Sequence, residues 1–244
     1  MTGIDPVSMA VVLALLALVP LVAVMTTSFL KIAVVLMLVR NALGVQQAPP
    51  NMAVYGLALI LTVYVMGPVV MRIGDEVRSA APSTLAIPDS ARSSSPNRMP
   101  PADGAAAPAD RGGAGLENLF SAVERGIEPL RDFMYRHSRA NQREFFVRTA
   151  ATLWGPELAR GLAETDLIVL TPAFLVSQLT AAFEIGFLLY LPFVIIDLIV
   201  SNILLAMGMM MVSPVTISMP LKLFLFVMVD GWTRLIQGLV LSYA

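Results

Sequence analysis

Five ionisable side chains stand inside otherwise apolar runs: Lys31, Glu184, Asp197, Lys222 and Asp230. Groups of this kind could relay protons, form an acid dyad that activates water, or tie helices together as ion pairs. Nothing around Asp197 and Asp230 supports an aspartyl dyad beyond the presence of two acids. A serine-based hydrolase would need a basic partner, and the one histidine, His137, lies in a polar section of the chain, where a surface or partly buried role is the plain reading. A charge at the centre of a bilayer costs about 2.5–3.5 kcal/mol, so five facing lipid would together cost well over ~10 kcal/mol. These groups are therefore expected to pair, to face water, or to sit near interfaces. Lys31 and Asp230 read equally as markers of helix ends and as further buried charge ties. Glu184 and Lys222 lie deeper and are expected to act as ties, within the chain or between subunits, with Asp197 as a further buried charge.

A second cluster carries no charge. In "LLAMGMMMVSPV", Leu204 to Val215, three methionines, Met209, Met210 and Met211, follow one another between two apolar segments. Methionine is unbranched and repacks readily around irregular surfaces. Ordinary packing is one reading of the triplet, and a surface that yields to a variable partner is the other. Gly208 and Pro214 would let the chain leave helix before the loop and re-enter it afterwards.

Much other chemistry is excluded. The absence of cysteine rules out disulfides and thiolate metal sites, and a single histidine leaves no His-based zinc site. There is no GxxxxGK[ST] loop for a nucleotide and no HExxH. Net charge is −1 without a basic stripe, so nucleic acid is not an expected partner. No enzyme activity, cofactor or metal is expected.

The elements that must position these residues are apolar. Hydrophobic residues make up 57% of the 244 and charged residues only 14%, with a mean hydropathy of +0.77; soluble domains average roughly 45–50% and about 25%. Four apolar blocks stand out: Val7 to Val39, Met52 to Met71, Leu167 to Met211 and Val215 to Leu241. They give four apparent spans, with the third block long enough for two elements split near Pro192. "MTGIDPVSM" at the start carries Asp5 and no Lys or Arg, unlike the positive start of a cleavable signal, so the first block is expected to be mature structure. Pro20, Pro68, Pro172, Pro192, Pro214 and Pro220 lie within or beside the blocks. Each interior proline frees a backbone carbonyl, which hydrocarbon tolerates only under protein or water cover. The expected fold is all-α: broken hydrophobic helices and helical hairpins, buried against other subunits as much as against lipid.

Between the second and third blocks lies a polar region of two parts. Residues 79–115 are rich in Pro, Ala, Ser and Gly and read as a disordered linker. Residues 116–166 show apolar residues near helical spacing (Leu119, Val123, Ile127, Leu130, Met134) with charges between them, which predicts a small amphipathic helical section. Asp132 with Arg136 and Glu144 with Arg148 are spaced as i,i+4 pairs, and Pro129 suits a first helical turn. The organisation is thus 1–78 N-terminal apolar helices, 79–115 linker, 116–166 amphipathic section and 167–244 C-terminal apolar helices with the methionine loop.

Three long collinear stretches resemble the type III export-apparatus proteins of the FliP/SctR family. They are "TSFLKIAVVLMLVRNALGVQQAPPNMAVYGLALILTVYVMGPV" from Thr27, "GIEPLRDFMYRHSR" from Gly126, and "AFEIGFLLYLPFVIIDLIVSNILLAMGMMMVSPVTISMPLKLFLFVMVDGW" from Ala182. The "VQQAPPN" after "RNALG" looks more like the injectisome branch than the flagellar one. The resemblance implies a core subunit of the export gate that conducts unfolded secreted proteins across the bacterial inner membrane. It also implies five copies in a ring with two other hydrophobic subunits, FliQ/SctS-like and FliR/SctT-like, and a methionine loop that rings the pore as a gasket. The flagellar gate of the same family is the near alternative. A small-solute or ion transporter is the alternative from another class, and no internal repeat supports it.

Overall fold

A computed structural model describes residues 6–45, 50–80, 125–155, 157–209 and 211–244. Most of the expected linker and the first part of the amphipathic section, residues 81–124, lie outside the described residues, as does Met210. Among the described residues the chain is all helical: α1 (Pro6–Thr26), α2 (Phe29–Ala42), α3 (Asn51–Ala80), α4 (residues 125–136), α5 (Ala140–Trp154), α6 (Leu167–Ala206), α7 (Pro214–Met228) and α8 (Gly231–Leu241). Two compact units result, one of residues 1–67 with 131–244 and one of residues 68–130.

The larger unit is built on α2 and α6. Ile32, Val35, Leu36 and Val39 recur at the spacing of one helix face and are almost fully buried, so α2 is a core helix. It packs along α6, which also carries α1, α5 and α7. Gly186 permits the close approach: a Cβ there would stand 2.3 Å from Leu38 Cδ1 and 3.2 Å from Leu38 Cβ. Phe193 of α6, Phe226 of α7 and Leu239 of α8 close the same core. A second buried group, Phe133, Met134 and Phe174, joins α4 to the first half of α6.

In the smaller unit the last turns of α3 lie beside the start of α4. A Cβ at Gly126 would meet Val77 Cγ2 at 3.2 Å and Ile73 Cγ2 at 3.7 Å. α4 is already helical at residue 125, so Pro129 does not open it.

Among the described residues, length and composition make two helices able to cross a membrane, Asn51–Ser79 and Leu167–Ala206, and up to four spans if each bent pair counts as one. The bent pairs are Pro20–Thr26 with Phe29–Ala42, at 75°, and α7 with α8, at 61°. The helices are therefore broken, but not where the prolines stand. Pro20, Pro68, Pro172, Pro192 and Pro220 all lie inside continuous helices. α6 in particular runs for 40 residues through Pro192, where the sequence suggested a split. One break falls at Thr27–Ser28, after Thr26 turns its hydroxyl back to the Val22 carbonyl at 2.8 Å. The other falls at Asp230, whose left-handed backbone (φ 52°) stops α7 and redirects the chain into α8.

Candidate functional site

The hairpin of α6 and α7 carries the methionine loop at its tip. α6 ends in a Schellman motif: Gly208 takes φ 74°, its N–H donates to the Leu205 carbonyl, and the Met209 N–H donates to the Leu204 carbonyl, both at 3.0 Å. Gly208 has the only residue type that takes this backbone without strain. Ser213 is extended and Pro214 is the first residue of α7. Between these caps Met209 is partly exposed and Met211 wholly so, and Met207 just before them is 65% exposed. Among the described residues nothing covers Met211.

Below the tip, Asp197 and Lys222 face each other across the hairpin. Lys222 Nζ donates to Asp197 Oδ2 at 2.6 Å, and Ser218 Oγ donates to Asp197 Oδ1 at 2.6 Å. Lys222 is 4% exposed and also lies 3.4 Å from the Ala42 carbonyl. That carbonyl is the last of α2, where a cation answers both the unpaired acceptor and the helix dipole. One ammonium thus ties α2, α6 and α7. Glu184 is not its partner: Glu184 accepts from Arg139 Nη2 at 2.7 Å, both side chains about half exposed. The sequence grouped Glu184 with Lys222, and within the chain each has another partner.

Lys31 lies in a different polar knot. It is 5% exposed, donates to Ser242 Oγ at 2.7 Å, and stands 4.3 Å from the Tyr243 ring centroid. Tyr243 donates its hydroxyl to Gln178 Oε1 at 2.7 Å, and Gln178 Nε2 donates to the His137 carbonyl at 2.8 Å. The His137 ring meets the Phe133 carbonyl through Nδ1 at 2.8 Å and packs against the rings of both Phe133 and Tyr243. Burial pushes the Tyr243 phenol well above its usual range. Lys31 is therefore in the interior, with the chain's last residues folded over it. Asp230 sits exposed at the α7–α8 bend, where it accepts from Thr233 Oγ1 at 2.9 Å.

No group of three His, Asp or Glu side chains able to hold a metal occurs among the described residues. What the geometry offers instead is a set of helix ties and an uncovered apolar tip. The sequence matches the FliP family over residues 12–239. The chain belongs to the FliP family. It is 48% identical over 239 residues to "Yop proteins translocation protein R" of Yersinia pestis, covering 98% of this chain and 97% of that one. It is 40% identical to "Harpin secretion protein HrcR" of Erwinia amylovora, over 98% of this chain and 97% of that one. "Virulence protein YscR" of Salmonella typhimurium is likewise 40% identical, over 98% of each. These names support the injectisome branch of the family, to which the residues after "RNALG" pointed.

In this FliP-family chain several structural residues escaped the sequence reading. Arg143 is almost buried and donates to the Ser138 carbonyl at 2.6 Å and to Glu164 at 3.1 Å, with Tyr135 stacked beneath it. It closes the turn between α4 and α5. Ser218, Gln178 and Tyr243 are the other omissions. Ser218 was the most accessible to inference, because it lies one turn before Lys222 on α7 and so on the same face. The pairs Asp132–Arg136 and Glu144–Arg148 are present.

Proposed function

We propose that this chain is a core subunit of the type III secretion export gate, whose methionine-bearing hairpin tip lines the conduit for unfolded secreted proteins. The observation that carries the reading is the tip itself: exposed methionines between a glycine-capped and a proline-started helix, on a chain of the FliP family. One chain cannot enclose a protein-sized channel, whereas a ring of copies can, each contributing one tip. A ring of flexible apolar side chains would exclude water and ions at rest and deform around substrates of any sequence.

The surface supports placement in a membrane assembly. α3, the second half of α6 and α7 expose many large apolar residues, among them Leu59, Ile60, Phe187, Leu198, Phe224 and Val227. Exposed area of this kind requires lipid or protein cover. The proposed setting is the bacterial inner membrane, with five copies of this chain, the FliQ/SctS-like and FliR/SctT-like subunits, and a structural rather than catalytic role. Glu184, with Arg139, is the proposed candidate for a tie that exchanges partners between copies, since it is exposed.

The test is ion leakage across the inner membrane of cells carrying Met209→Ala, Met210→Ala and Met211→Ala together, with assembly confirmed. Increased leakage is expected. An assembled complex that stays tight would remove the gasket assignment.

A further inference from the structure

An apolar groove of about 510 Å³ lies between α6, α7 and α8, within the size range of small-molecule sites. Buried Phe226 and Leu239 line it together with exposed Leu188 and Val229, and Gly238 leaves it open on the α8 side. One lining residue is charged, Arg234. The other lysines and arginines described in this unit each have an interaction of their own. For Arg234 no side-chain partner is found among the described residues. Asp230, one turn earlier, receives Thr233 instead, and α8 contains no acid.

An unpaired guanidinium on an apolar wall, in a helix pair apolar enough to count as a span, calls for an anion with a hydrocarbon body. We propose that the groove binds an anionic phospholipid, with an acyl chain along the apolar walls and the phosphodiester on Arg234. The planar fork of arginine matches phosphate oxygens two at a time, and basic positions between membrane helices take lipid headgroups. A second copy of this chain is the weaker match. The acids of α6, Glu184 and Asp197, already have partners. The inference does not depend on the export role, and the leakage experiment stands whichever way this one falls.

The test is native mass spectrometry of the full chain in detergent, titrated separately with phosphatidylglycerol and phosphatidylcholine. One retained phosphatidylglycerol per chain is expected, in preference to phosphatidylcholine. Arg234→Gln alters an exposed residue and should leave folding intact while lowering phosphatidylglycerol retention about tenfold, as loss of a charged hydrogen bond implies. Gly238→Leu, whose side chain enters open space, should lower retention of both lipids. Equal binding of the two lipids, or wild-type binding by either variant, overturns the proposal. So does a Gly238→Cys variant that cross-links to a protein chain across the groove in the assembled complex.

Discussion

The two halves of α6 are both strongly apolar but have different surroundings. From Leu167 to Ala182 one face of the helix is enclosed: Val169, Leu170, Ala173, Phe174 and Ala182 are at or near zero exposure, and Ser177 and Gln178 meet the polar atoms of the α4–α5 turn. From Phe183 to Ala206 only Gly186, Phe193, Val200 and Leu204 are buried, while Phe187, Leu188, Leu198 and Leu205 are each more than half exposed. At 1.5 Å per residue the whole helix is about 60 Å long, twice the hydrocarbon core of a bilayer. Hydropathy alone is blind to the difference. The first half is covered by its own chain, and the second is left for lipid or other subunits to cover.

The sharpest way to break this comparison is to truncate one phenylalanine in each half. Phe174→Ala empties a fully buried site and should cost the isolated chain about 3–5 kcal/mol. Phe187 is 64% exposed, so Phe187→Ala should change the same unfolding free energy by less than about 0.5 kcal/mol. Denaturant unfolding in detergent measures both. In the assembled complex Phe187→Ala should instead lower subunit retention. Equal effects on the isolated chain would mean that the halves do not differ as described.

Two acids of the second half, Glu184 and Asp197, differ in the same way. Lys222→Met leaves Asp197 and the Ala42 carbonyl without their cation, and about 2–3 kcal/mol should be lost, below the full value for a buried pair because Asp197 is about a third exposed and keeps Ser218. Adding Asp197→Leu should restore at least half of that, since an apolar pair avoids the desolvation cost. Glu184→Gln, at a half-exposed ion pair, should cost no more than about 0.5 kcal/mol. A Glu184 effect as large as that of Lys222 would place the two ties in the same class.

How much of this was legible in the sequence depends on what carried the signal. The apolar blocks, the all-helical class and the i,i+4 pairs follow from local spacing, and they are present in the fold. The breaks do not coincide with proline. A proline costs one hydrogen bond, which a helix packed by its neighbours can absorb, whereas the left-handed backbone of Asp230 redirects the chain itself. The charge partners required register between helices, which spacing within one helix does not supply. A clue was nevertheless available: Asp197 and Lys222 each lie about ten residues from the tip of the hairpin, level with one another once it folds, and Glu184 lies far below. The end of the chain was invisible as a site, because Tyr243 owes its burial to Lys31, Gln178 and His137, all remote in sequence.

Where the two halves of α6 meet, Gly186 offers a smaller test. Gly186→Ala gains helix propensity but presses on Leu38, whose Cβ as well as its Cδ1 is in the way, so a net loss of about 1 kcal/mol is expected. Leu38→Ala in the Gly186→Ala background should relieve the clash, and a double-mutant cycle would show the coupling. Additive effects would mean that α2 and α6 have room to move apart.

A test of similar size concerns the enclosed half alone. Tyr243→Phe keeps the ring beside Lys31 and His137 but removes the hydroxyl from Gln178, which should cost about 1 kcal/mol near neutral pH. Its pH dependence separates this bond from general packing. Burial raises the Tyr243 phenol in the folded chain, while in the unfolded chain it ionises near ~10. Below that pH the unfolded phenol keeps its proton and the stabilisation is complete. Above it the unfolded chain releases a proton that the folded chain retains, so the unfolded state gains and stability falls as pH rises. Phenylalanine has no proton to release. The gap between wild type and Tyr243→Phe should therefore be constant from neutral pH to about 9 and shrink beyond ~10. A gap independent of pH through 11 would mean that the phenol reaches water in the folded chain, and that the tail is not fastened over Lys31 as the enclosed half of α6 requires.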